Sequence, residues 1–219
     1  KAEVEREGQA TVNARKLLAI TNGLQGGEVE IETDAKHNLK LKAGKSCYNI
    51  NGTDPAEYPP IKEPEVVAAF SLPQSQLKSL LAACAFAVCK DGSRFALLGE
   101  LLEAKGQELT VAATDGRRLA LKAAKLEKQL KKDARVTIPS KAASEIASLM
   151  EGKGDADIII SENLISVTSG SSSVISKLVD AAFPDHRAIL PKTYETIVIA
   201  SRSEFIEAAS RASLVTSEK

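Results

Sequence analysis

The sequence predicts an α+β fold of antiparallel meanders with few helices. Two observations carry this. A helix followed by three short strands occurs twice along the chain, and the second occurrence follows the first at a nearly constant distance. The strands are short and punctuated by single glycines, which suits hairpins and not the long crossovers of a parallel sheet.

The elements follow in order. Asn13 can cap a helix over 14–24, with Leu17, Leu18 and Leu24 on one face and Gly26-Gly27 ending it. Val29-Glu30-Ile31-Glu32 alternates like a half-buried strand, and a turn over 34–38 leads to Leu39-Lys40-Leu41-Lys42. Gly44 separates these from Cys47-Tyr48-Asn49-Ile50, and an extended tail ends at Tyr58-Pro59-Pro60-Ile61. A second unit begins at Phe70-Ser71-Leu72-Pro73. Its helix carries Leu77, Leu80, Leu81, Cys84 and Val88 at helical spacing. Asp115-Gly116 reads as a tight hairpin turn. The run 122–135, with Lys125, Lys128, Lys131 and Lys132, reads as a flexible solvated connector.

The first pattern then returns. Thr137-Ile138-Pro139 leads a helix over 140–150 with Ala142, Ile146 and Leu149 on its apolar face, ended by Gly152 and Gly154 before a strand at 158–160. Thr137 follows Thr11 by 126 positions, Asn163 follows Asn38 by 125, Gly170 follows Gly44 by 126 and Pro184 follows Pro59 by 125. A last helix opens with the capping-box spacing Ser201-x-x-Glu204 and carries Phe205, Ala208, Ala209, Ala212 and Val215 as its stripe. Phe205 follows Leu77 by 128 positions, so the second unit recurs too. The repeat divides the chain into the back half of one domain (1–68), a complete domain (69–190) and the opening of a third (191–219). Lys1 falls inside a charged run without Met, and both ends read as cut.

Composition excludes several classes of function. Of 219 residues, 43% are hydrophobic and 26% charged, which fits a packed globular chain. The longest apolar stretch, 80–89, is half of what a bilayer-spanning helix needs, so no membrane role is expected. Three cysteines (Cys47, Cys84, Cys89) are too few and too odd for a disulfide framework, and a reducing cytoplasm is the default. No Cys/His spacing suits zinc, and no glycine-rich phosphate loop opens a helix. No cofactor or metal is therefore expected. A hydrolase around Asp115 and His186 lacks a recognisable nucleophile, and His186 after Phe183-Pro184 reads as a surface loop residue.

Lys and Arg total 29 against 29 Asp and Glu, which rules out gripping nucleic acid by bulk charge. The helices depart from this balance. Their non-core faces carry Arg15, Lys16, Lys78, Lys141, Arg202 and Arg211 among small polar residues, with only Glu145, Glu204 and Glu207 acidic. On one helix this would be an ordinary solvated face. At equivalent positions of a repeat it suits loose, sequence-independent contact with phosphates.

The residues resemble the bacterial DNA polymerase III beta subunit, or sliding clamp, family. The resemblance is carried by Thr11-Val12-Asn13-Ala14-Arg15-Lys16-Leu17, Ala113-Thr114-Asp115-Gly116-Arg117-Arg118-Leu119-Ala120, Ser176-Lys177-Leu178-Val179-Asp180 and Phe183-Pro184-Asp185-His186-Arg187. Arg211-Ala212 and Ser217-Glu218-Lys219 extend it to the end of the chain. It implies the DNA clamp fold, with three repeated domains per protomer of roughly 370 residues. Two such protomers close head to tail into a ring whose helices surround double-stranded DNA. It also implies no catalysis, and partners that include a clamp loader and the polymerase III alpha subunit.

Site residues follow from the same resemblance. Lys90 and Phe95 join the helix cations on the DNA side. Relatives can carry an aromatic pair where Phe95-Ala96 stands, so stacking on a base would be weaker here. A cleft for short linear motifs is implied at Arg94, Leu97, Thr114, Gly116, Arg117, Arg118, Leu119, Pro184 and Ile189, its other wall coming from the remainder of the third domain. Arg117 stands where relatives commonly have His. The protomer interface is implied at Lys16, Tyr48 and Ile50 on one side and Leu214 and Val215 on the other, although pattern alone places the last two in a core. The rival from another class is a peptide-binding adaptor that does not encircle DNA.

Overall fold

The structure is a computed structural model and describes residues 3–24, 27–59, 65–191 and 193–216. Gly26, Pro60, Ile61 and the segment 217–219, which the sequence reading used, lie outside the described residues. The chain forms two compact units, Lys1–Glu63 and Pro64–Lys219.

In the first unit, β1 (Thr11–Val12) leads into α1 (Ala14–Asn22), then β2 (Glu30–Thr33), β3 (Leu39–Ala43), β4 (Ser46–Ile50) and β5 (Gly52–Thr53). Asn13 Oδ1 accepts the amide of Lys16 at 3.1 Å, the expected cap, which satisfies one of the donors a helix start leaves open. The strands β2-β3-β4 form one antiparallel sheet, and β1 pairs with β5. Leu39, Leu41 and Ile50 are its buried core, with Val12, Leu17, Ile20, Leu24 and Tyr48 packed against them.

Two expectations change here. The helix ends at Gly23, short of the glycine pair, and Leu18 is 60% exposed while Ile20 takes the core position. With about 100° between successive residues, Leu17, Ile20 and Leu24 share a face that Leu18 leaves. Every residue of β2 is exposed, including Ile31, because α1 packs on β4 and not on this far edge.

The second unit holds β6 (Val66–Pro73), α2 (Gln74–Cys84), β7 (Gly99–Lys105), β8 (Glu108–Thr114), β9 (Leu119–Lys125), β10 (Ala134–Pro139), α3 (Ser140–Leu149), β11 (Asp155–Ser161), β12 (Leu164–Ser169), β13 (Ser172–Lys177) and α4 (Arg202–Ser213). Two antiparallel sheets, β10-β7-β8-β9 and β13-β12-β11-β6, enclose one core with α2 and α3. The strand before each helix joins the sheet of the other half: β6 pairs with β11, and β10 with β7. The two halves therefore cannot separate without breaking both sheets.

Neither α2 nor α3 has a side-chain cap, since each follows a proline directly. Their open amides are met from the other half instead. Gln74 N donates to Gly154 O at 3.0 Å, and Ser140 N donates to Leu98 O at 3.2 Å. Leu77, Leu80, Leu81, Cys84, Ile146 and Met150 meet Leu102, Leu109, Val111, Ile158, Ile160 and Ile165 in the core.

The repeat is visible as geometry. Thr11 pairs with Thr53, and at the equivalent place Val179 N donates to Thr137 O at 2.9 Å. Gly52 N donates to Asn38 Oδ1 at 3.4 Å, and Leu178 N to Asn163 O at 2.9 Å. Gly44 and Gly170 turn their hairpins at φ +55° and +59°, a region that favours glycine.

Two more expectations are corrected. The run 122–135 is no loose connector: β9 takes its start and β10 its end, Leu126 is buried, and the amides of Leu126 and Leu130 donate to Gln107 O and Gly106 O at 2.7 and 2.8 Å. Lysine spacing had masked two leucines that bind the run to the sheet. The capping box at Ser201 does not form, since that hydroxyl meets Ser203 Oγ at 2.9 Å. Among the described residues the apolar stripe of α4 is exposed, as are Leu214 and Val215 beyond its end. Amphipathicity belongs to the helix itself, whereas burial needs a second element against it.

Candidate functional site

The β8–β9 hairpin builds the best-defined candidate site. Asp115 Oδ1 accepts the amides of Arg117 and Arg118 at 3.0 and 3.1 Å, and its Oδ2 accepts Arg118 Nε at 3.0 Å. These bonds, led by the Arg117 amide, hold the carboxyl below its ordinary range. Thr114 Oγ1 donates to Arg118 O at 2.7 Å and accepts Gly116 N at 3.0 Å. Gly116 sits at φ +84°, and an added Cβ would lie 2.4 Å from Arg94 Nη1. The positive φ favours glycine there, and Arg94 crosses the loop to donate to Asp115 O at 2.9 Å.

Beneath this loop lies a small apolar cluster of Cys89, Leu97, Leu101, Ala112 and Phe183, with Leu119 packed against it. Leu101 and Ala112 face each other across β7 and β8, so sheet register assembles the floor. Phe183 anchors the next segment, leaving Pro184 and Ile189 exposed at the surface. Arg118 lies over the ring of Phe86, 5.9 Å from its centroid. Arg94, Leu97, Thr114, Gly116, Arg118 and Leu119 are thus brought together, while Arg117 contributes only its amide to the loop.

A charged trio stands beside this wall. Glu103 lies 3.6 Å from Arg135 Nε and accepts Arg187 Nη2 at 2.7 Å. Arg135 Nη2 donates to the carbonyls of Phe183 and Pro184 at 3.1 and 3.2 Å. His186, expected at the surface, is 3% exposed, with neither ring nitrogen hydrogen-bonded. Burial, with Arg187 and Arg135 nearby, lowers its pKa against the pull of Glu103 and Asp185. Asp115 is committed to its own loop and His186 to the interior, so the two form no dyad. Among the described residues no cluster of three or more His, Cys, Asp or Glu could hold a metal.

The helix cations divide. Arg15, Lys16, Lys141 and Arg202 are exposed on their helices. Lys78 spends its ammonium on Met150 O at 3.0 Å, where the carbonyls ending α3 collect negative potential. Arg211 stands 3.9 Å from Glu207. Lys90 and Phe95 are exposed in the loop before β7. Of the residues expected at a protomer interface, Lys16, Leu214 and Val215 are exposed and Tyr48 is half-buried. Ile50 is 1% exposed in the core of the first unit, so it supports the β4 edge from within instead of presenting a side chain.

The sequence reading missed Phe183 as the anchor, and Glu103 and Arg135 altogether. An opposite-charge pair signals nothing until strand register places Arg135 opposite Glu103.

An interlocked double-meander unit following a helix-plus-meander unit of the same pattern defines the sliding-clamp class of fold. Two family models match in order: the DNA polymerase III beta subunit, N-terminal domain, over 1–62, and its central domain over 71–185. The chain belongs to the DNA polymerase III beta subunit family. A beta sliding clamp from Pseudomonas aeruginosa is 34% identical over 97% of this chain. The crystal structure of the DNA polymerase III subunit beta from the same species superposes with a TM-score of 0.92 at 32% identity, covering 100% of this chain and 60% of that one. The Bacillus subtilis sliding clamp structure gives 0.91 at 31% identity, covering 99% and 57%. The chain spans 58% of the length of the Pseudomonas aeruginosa relative.

Proposed function

We propose that the complete protein is a non-catalytic sliding clamp that closes as a homodimer around duplex DNA and tethers the replicative polymerase. The carrying observation is the ordered match of two clamp domains along a chain whose repeat recurs in strand pairing and hairpin turns. On this reading residues 1–68, 69–190 and 191–219 belong to the first, second and third domains. Exposed cations at Arg15, Lys16, Lys141, Arg202 and the loop at Lys90, with Phe95, touch phosphates loosely and without sequence preference. Net charge near zero keeps those contacts weak enough for sliding. The free edge of β4 with Lys16 and Tyr48, and Leu214 with Val215, supply the protomer contacts.

The wall at Arg94, Leu97, Thr114, Gly116, Arg117, Arg118, Leu119, Pro184 and Ile189 docks short linear motifs of the polymerase III alpha subunit, the clamp loader and other factors. Apolar side chains seat on Leu97 and Leu119, while the arginines meet polar or acidic groups at the rim. Three free cysteines and no helix long and apolar enough to span a membrane, among the described residues, suit a cytoplasmic place of work.

Retention on nicked circular plasmid after loading, followed by a single cut, tests the topology. Release on linearisation is expected, and binding that survives the cut refutes encirclement in favour of an adaptor. Docking is tested by calorimetry of the complete protein with a Gln-Leu-x-Leu-Phe-type peptide. Leu119→Ala should weaken it about tenfold, the worth of a partly buried apolar anchor.

A further inference from the structure

We infer that Glu103 and Arg135 are positioning residues that hold segment 183–189 in the shape the peptide wall requires. This rests on the docking reading above. Arg135 and Glu103 stand directly opposite each other on β10 and β7, so the rigid sheet fixes both. From there they reach the segment at its two ends. Arg135 Nη2 holds the carbonyls of Phe183 and Pro184 at 3.1 and 3.2 Å, and Glu103 holds Arg187 at 2.7 Å.

Beyond the packing of two buried rings, hydrogen bonds other than these clasps give the segment no tie to the sheets among the described residues. Among the described residues its backbone bonds are local, from Ala188 N to Asp185 O and from Leu190 N to Arg187 O, both 3.3 Å. Asp185 Oδ1 adds a cap on Arg187 N at 3.1 Å. None of these ties Pro184 or Ile189 to the sheets. The buried rings of Phe183 and His186 anchor the segment by packing. Direction comes from the planar fork of Arg135, which faces a carboxylate and two carbonyls at once; a lysine ammonium has no such plane.

Without the clasp, Pro184 and Ile189 sample other positions, and only the competent fraction binds. Apparent affinity falls by that fraction. Arg135→Ala and Arg135→Lys in the complete protein should each weaken the same peptide about fivefold, with the urea midpoint of unfolding unchanged. The loss should disappear in a Pro184→Ala, Ile189→Ala background, because nothing remains to be positioned. Full affinity in Arg135→Lys overturns the inference, since charge alone then suffices. Losses that add fully to those of Pro184→Ala, Ile189→Ala also overturn it, because Arg135 then acts elsewhere. If Arg135→Ala binds normally while Leu119→Ala does not, positioning fails and the docking reading stands. If Leu119→Ala also binds normally, the docking reading fails and the inference falls with it.

Discussion

Glu100→Gln should make the second unit more stable at alkaline pH and change little at acid pH. Glu100 is 2% exposed on β7, its Oε2 has no hydrogen-bond partner, and burial pushes its pKa from 4.5 up to about 7. A carboxyl raised on folding favours the folded state fully below the unfolded value of 4.5, and that contribution drains as pH climbs through about 7. At about 1.36 kcal/mol per pH unit, the whole effect is about 3 kcal/mol, most of which falls between pH 5 and 8. Glutamine has nearly the same shape and cannot ionise. Any fixed penalty of burying its amide is the same at both pH values, so the signal is the change in the difference between variants. Urea unfolding followed by circular dichroism and by exposure of the buried Cys84 thiol reads the unit directly, in a Cys47→Ser, Cys89→Ser background. The gap between variant midpoints should widen by about 1 M urea from pH 5 to pH 8. A gap that stays constant with pH would falsify the claim that burial raises the Glu100 carboxyl above its unfolded value.

His186 should act in the opposite sense. Its lowered pKa means the neutral ring is favoured on folding, so its contribution is complete above the unfolded value of 6.5 and is lost as pH falls below it. His186→Phe should remove that acid sensitivity, and parallel melting curves for the two proteins from pH 7 to pH 5 would refute it. Replacing Arg15, Lys78 and Lys141 by Ala should shorten residence on circular DNA and lower the salt slope by up to about one per residue. Lys78 should contribute least to DNA and most to stability, because its ammonium caps α3. Equal effects from all three single variants would contradict that division.

How far the sequence reaches depends on the range of the interaction. The β3–β4 and β12–β13 hairpins were legible because Gly44 and Gly170 impose a local backbone conformation. The α2 stripe was legible because Leu77, Leu80, Leu81 and Cys84 recur at helical spacing over about two turns. The helix ends at Cys84, however, and Val88, read as its continuation, lies beyond it in extended backbone. The repeat needed only arithmetic on such landmarks. The loop of Asp115 and Gly116 was legible as a turn, but nothing local showed that Arg94 would bridge it from 21 residues away.

By itself, then, the sequence determined the four helices, the repeat, the turns at Gly44, Gly116 and Gly170 and the family, since each rests on contacts between near neighbours or on recurring pattern, while β7 and β8 went unread. Only the tertiary structure decided which apolar faces found partners: Leu17 and Ile20 did, whereas Leu18 and Ile31 did not. It also decided that His186 and Glu100 are buried and that Arg135 faces Glu103. Burial and cross-strand pairing depend on what arrives from distant parts of the chain, and no residue carries that in its own identity.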